Sequence, residues 1–207
     1  MLTLDTALAF FGVSLLLGLS PGPDNVFVLM QSATFGRRAG WLVTLGLCTG
    51  LLAHTAAVAL GLAAVLAASP VAFTVLKLAG AAYLIYLAWG AWHAPVSALS
   101  GEATAGSGWR MYTRGVVMNL TYPKVGIFFL AFLPQFVTPE AGTVPLQVVQ
   151  LGALFVLATL LVFGGFAWFA SLIGGWLRGS PGAQRALNRA ASVVFVALAA
   201  RLVWVQR

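Results

Sequence analysis

Two short patches put a charge and proline-broken backbone inside long apolar stretches: Ser20-Pro21-Gly22-Pro23-Asp24-Asn25 and Asn119-Leu120-Thr121-Tyr122-Pro123-Lys124. Asp24 and Lys124 lie 100 residues apart, each in the first hydrophobic stretch of its half of the chain. A carboxylate and an ammonium held at such breaks could pair with each other, or could receive the two ends of a zwitterion. Pro21 and Pro23 remove two backbone donors and disfavour helix at the residues before them, so the first helix is expected to split around Gly22. Asp24 would then open the second half-helix, where free N–H groups and the positive dipole end stabilise a carboxylate. As a cap alone it returns about 1 kcal/mol, less than the roughly 2.5–3.5 kcal/mol that a charge at mid-membrane costs on insertion scales. A site role is therefore favoured over capping. Lys124 after Pro123 has three readings: a pair with Asp24, a receiver of a substrate carboxylate, or a long stem reaching an interface.

The other candidates are fewer. His54, between Ala53 and Thr55 near the middle of the second apolar stretch, is either a proton relay or polar ligand, or a neutral ring hydrogen-bonded to a neighbouring helix. Gly36/Gly40 and Gly46/Gly50 have the spacing of close helix contacts. Trp168, inside the fifth apolar stretch, is the aromatic to consider for a cavity, whereas Trp41, Trp89, Trp92, Trp109, Trp176 and Trp204 fall near stretch ends as interfacial anchors.

The elements that must position these residues follow from composition. Hydrophobic residues make up 61% of the 207 residues and charged residues 7%, with mean hydropathy +0.98, whereas soluble domains carry about 25% charge. The chain reads as one all-α integral membrane domain, multi-pass, with the lipid bilayer as its solvent. About six spans are expected, at about Leu4 to Ala33, Gly40 to Ala67, Val71 to Trp92, Gly115 to Phe136, Leu146 to Trp176 and Leu187 to Val205, with five spans or one re-entrant segment as the alternative. Asp5 stands where an export signal would carry basic residues, and no small-x-small cleavage site follows, so the first stretch is expected to stay.

Arg37 and Arg38 lie in the first connection, Arg110 and Arg114 in the third, and Arg178 and Arg185 in the fifth, while the second and fourth hold no Lys or Arg. The positive-inside bias puts the odd connections in the cytoplasm and both termini outside, with Arg201 and Arg207 pulling weakly the other way. Three spans per half make an inverted 3+3 repeat with helices 1 and 4 broken: residues 1–94, a linker at 95–109 rich in Ser, Ala and Gly, and 110–207. Lys77-Leu-Ala-Gly80-Ala-Ala-Tyr83 with Trp92 is echoed by Arg189-Ala-Ala-Ser192-Val-Val-Phe195 with Trp204 at a constant offset of 112 residues.

Several functions lack their residues. Cys48 is the single cysteine, so no dithiol relay or cysteine cluster can form. With four acids and two His, neither an intramembrane hydrolase nor a resident metal or other cofactor is expected, and no catalytic residues are assigned. The net charge of +7 is scattered between apolar stretches and forms no stripe for nucleic acid. A carrier is the leading reading, with a divalent metal-ion exporter as the alternative.

In order and spacing, Ser20-Pro-Gly-Pro-Asp24-Asn25, Gly36-Arg-Arg-Ala-Gly40, Lys77-Leu-Ala-Gly80-Ala-Ala-Tyr83-Leu, Asn119-Leu-Thr-Tyr-Pro123-Lys124 and Phe128-Phe-Leu-Ala-Phe-Leu-Pro134-Gln135-Phe136 resemble the LysE/RhtB amino-acid exporters over nearly the whole chain. Family members usually have Asn before the Pro-Lys pair; here it is Tyr122, while Asn119 is kept. The resemblance implies a bacterial inner-membrane secondary carrier of about six spans that exports amino acids on an ion gradient. Protons are the coupling ion to test, and a homodimer is the candidate assembly. The expected substrate and ion site comprises Pro21, Gly22, Pro23, Asp24, Asn25, His54, Asn119, Pro123 and Lys124. So few buried acids favour neutral or small amino acids, of the homoserine, threonine or leucine class, over dicationic ones.

Overall fold

The structure, a computed structural model, describes residues 2–20, 22–68, 74–75, 78, 81–82, 85–86, 88–90, 92–93, 107–121, 125–126 and 128–204. Among these residues there are helices and turns and no strand. That is what a bilayer demands of a single chain that does not close a barrel, because each backbone N–H must be satisfied within its own segment.

The first apolar stretch forms two helices, α1 (Leu4–Leu19) and α2 (Pro23–Phe35), whose axes bend by 63°. Thr3 caps α1, its hydroxyl accepting from the Thr6 N–H at 3.3 Å. At the other end the Ser20 N–H turns back to the carbonyls of Leu16 and Leu17. Gly22 then runs extended, and Pro23 begins α2 at the first helical position, where its missing N–H costs nothing. The expected split of helix 1 around Gly22 is present.

α3 (Arg37–Ala68) starts directly after Gly36, whose φ of +84° lies in the region other residues avoid. Gly36 serves this reversal and not a helix contact, for a Cβ there would touch nothing. Its expected packing role is thereby corrected. α4 (Gly108–Thr121) lies along α3 so closely that Gly46 faces Gly115, and a Cβ on either would strike the other helix's backbone. After it, Phe128–Phe132 is π-helical and Leu133–Phe136 is a 3-10 turn, so the fourth stretch does not continue as regular α-helix. Tyr122, Pro123 and Lys124 lie outside the described residues, as do Lys77, Tyr83 and the linker through residue 106.

α5 (Val144–Gly179) carries a kink at Phe169, with φ −103° and ψ 17°, and α6 (Pro181–Trp204) completes the chain. Among the described residues two segments are each long and apolar enough to cross a membrane, Arg37–Gly61 of α3 and Val144–Ala170 of α5, and the bent pair α1–α2 makes a third if taken as one span. The third expected span, Val71 to Trp92, falls largely outside the described residues.

α3 is the centre of the molecule, packed against α4 on one side and α5 on the other, while α1 and α2 both lie on α5. Two apolar clusters result. One gathers Phe10, Phe128, Phe129, Phe132, Phe136 and Phe155 with neighbouring aliphatic residues. Within it the Phe10 ring stands edge-on to Phe136 at 5.1 Å, and Phe155 meets Phe129 at 5.1 Å and Phe128 at 5.4 Å. The other joins Val28, Val43, Leu47, Met111 and Phe163 around α2. The break between α1 and α2 sits where the clusters meet, because Leu17 belongs to the first and Val28 to the second.

Candidate functional site

Helix ends are where a buried backbone leaves polar groups unspent, and the α1–α2 break makes two such ends at one depth. The chain satisfies one of them locally: the side-chain amide of Asn25 donates to the Gly18 carbonyl at 2.7 Å, stapling the first turn of α2 to the last turn of α1. Asp24, beside it in the first turn of α2, makes no such bond. It is 9% exposed, and its Oδ1 is fully enclosed with no hydrogen-bond partner among the described residues. Asp24 thus lies at the positive end of the α2 dipole.

Asn119 stands opposite, two residues before the end of α4. It is 5% exposed, and its Oδ1 also lacks a partner among the described residues. Its side chain fits only because α3 has Gly50 at that height: a Cβ on Gly50 would lie 2.7 Å from Asn119 Cβ and 2.8 Å from its Cγ. Asp24 and Asn119 line one cavity together with Leu17, Gly18, Thr159 and Phe155. Its volume is about 20 Å³, room for a water and not for an amino acid.

His54 lies beside the second patch and not in the cavity. Its Nε2 is 3.4 Å from the Asn119 carbonyl oxygen, its Cε1 would stand 3.3 Å from a Cβ on Gly126, and its ring centroid is 5.9 Å from that of Phe129. With hydrogen on Nε2 the ring donates to the Asn119 carbonyl near the end of α4. Gly22 and Pro23 shape the start of α2, while Pro21, Pro123 and Lys124 lie outside the described residues.

Trp168 does not enter the cavity. It is half exposed, with the Arg37 guanidinium 4.6 Å above its ring, joining the start of α3 to α5 near the kink. Thr159 and Phe155 line the cavity without having been singled out in the sequence, and Gly50 was read there only as a helix contact. A signal existed for Thr159, the one hydroxyl between Leu151 and Ala170. Gly50 could be read only as a packing residue, because nothing in the sequence says which side chain its missing Cβ admits.

A broken helix presenting an unpaired carboxylate at the junction of packed apolar helices defines a multi-pass membrane protein with a polar site at its centre. The chain belongs to the LysE type translocator family, whose model matches residues 8–206. It is 35% identical over 202 residues, 97% of both chains, to the homoserine/homoserine lactone efflux protein of Salmonella typhi, and equally so to that of Salmonella typhimurium. A membrane protein of Vibrio cholerae is 30% identical over 91% of this chain and 92% of its own. No solved structure matches the chain.

Proposed function

We propose that this protein is a secondary exporter of neutral or small amino acids, of the homoserine, threonine or leucine class, across the bacterial inner membrane, coupled to protons. The observation that carries the reading is the unpartnered Asp24 carboxylate, closed into one cavity with Asn119 and Thr159 at the break between α1 and α2. A carboxylate at that place suits the ammonium of a zwitterion or an incoming proton, and the amide and hydroxyl suit its polar remainder. Lys124, in the same patch of sequence as Asn119, is the candidate for the substrate carboxylate. The relatives named for homoserine and homoserine lactone efflux support a small, polar, uncharged side chain on the substrate.

The frame of this reading is an inverted pair of three-span halves, 1–94 and 110–207, alternating about the two breaks. The energetics suffice. A proton entering down 100 mV supplies about 2.3 kcal/mol, and with about 1.4 kcal/mol per tenfold ratio one proton sustains roughly a 50-fold gradient. A divalent metal-ion exporter would require converging ligands, and among the described residues no three His, Cys, Asp or Glu come together.

Everted membrane vesicles given an inside-acid gradient test the proposal. They should accumulate labelled homoserine, and a protonophore should stop the uptake. Uptake of a divalent cation with no response to any amino acid would overturn it.

A further inference from the structure

Between the Asp24 break and the basic turn at Arg37–Arg38, α2 carries one more polar side chain with no structural use. Gln31 is completely buried, and neither its Nε2 nor its Oε1 has a hydrogen-bond partner among the described residues. Buried hydroxyls of α2 and α3 are, by contrast, spent within their own helices: Ser32 donates to the Val28 carbonyl at 2.7 Å, and Thr44 to that of Gly40 at 2.9 Å. An amide enclosed without partners destabilises the state that encloses it. A leucine or methionine would fill the same space without that cost, so the packing around it does not account for a glutamine.

Gln31 follows Asp24 by seven residues, two helical turns, which puts both on one face of α2 about 10 Å apart along the axis. At this level α2 is pressed on α3 and α5: a Cβ on Gly40 would stand 2.8 Å from the Ala167 methyl and would strike the Ser32 hydroxyl. Separating these helices at the arginine end would uncover Gln31 before Asp24. We propose that Gln31 is a second binding station for the substrate zwitterion, lining the access path between the Asp24 cavity and the cytoplasm in the open state. Its amide offers donors to a carboxylate and an acceptor to an ammonium, without the charge that would trap either. The assignment rests on the exporter reading above, and its test separates the two.

In a Cys48→Ala background, Gln31→Cys is treated with methanethiosulfonate-ethylammonium in everted and in right-side-out vesicles, with Leu151→Cys, equally buried, as control. Gln31→Cys should react at least tenfold faster in everted vesicles, and the control in neither. Failure to react from the cytoplasmic face overturns the station. Independently, Gln31→Met, close in volume, should melt no lower than wild type yet carry homoserine at least tenfold more slowly, with Gln31→Glu recovering part of the rate. Wild-type transport by Gln31→Met also overturns it. If wild-type vesicles move no amino acid, the exporter reading fails and the labelling alone decides whether Gln31 lines a cytoplasmic path.

Discussion

Gly50 on α3 and Asn119 on α4 are fitted to one another: the missing side chain of the first is the space occupied by the amide of the second, with a Cβ on Gly50 only 2.7 Å from that of Asn119. Gly50→Val should therefore push Asn119 out of the cavity it shares with Asp24. Overpacking of this kind costs about 1–3 kcal/mol, and homoserine efflux should fall more than tenfold. Gly50→Ala should give a smaller loss of both. Melting in detergent and initial efflux rates check this, and a normally active Gly50→Val would show that Asn119 need not lie where it does.

Asp24→Asn keeps the shape of the side chain and removes its charge, so it should insert normally and lose at least a hundredfold in transport. Lys124→Gln should do the same. If the two charges only neutralise each other, the double variant regains flux; if Lys124 holds the substrate carboxylate, the double variant stays inactive. Efflux from cells expressing matched amounts of each protein distinguishes these results.

The bond from the Asn25 side chain to the Gly18 carbonyl holds the break in place. Asn25→Ala removes the donor from the part-buried Gly18 carbonyl and should lower stability by about 0.5–1.5 kcal/mol. Asn25→Asp should be at least as harmful, because it sets a carboxylate oxygen against a carbonyl oxygen. A thermal melt of the purified variants reads the order directly, and an Asn25→Asp protein as stable as wild type would argue against the staple.

The proposed inverted topology predicts opposite sides for two exposed loop positions. In the Cys48→Ala background, Ser107→Cys should label with a membrane-impermeant maleimide from the cytoplasm, and Thr143→Cys from outside. Labelling of both from one face would exclude an odd number of crossings between them.

The sequence was most legible where chemistry is local. Pro21, Gly22 and Pro23 stop a helix wherever they occur, so the division into α1 and α2 needed no knowledge of neighbours, and Asp24 at the start of α2 followed from it. Gly36 was misread because a glycine's spacing is the same whether it serves a contact or a turn; its φ of +84° is a property of the reversal between α2 and α3. Trp168 was considered for a cavity on the strength of its position in an apolar stretch. The face of α5 it occupies is set by how α3 lies on that helix, and Arg37 covers it from there.

Composition and the two proline patches by themselves determined a multi-pass helical protein with a broken first helix and a charge at the break, because bilayer insertion and backbone sterics act on each segment alone. Which polar groups share a cavity was decided only by tertiary structure. Asp24, Asn119 and Thr159 come from three helices, and their meeting depends on the close approach of α3 to α4 at Gly46, Gly50 and Gly115. Enclosure was decided in the same way: a glutamine in an apolar stretch faces lipid, protein or a path, and Gln31 became an amide without partners only once α3 and α5 closed over α2.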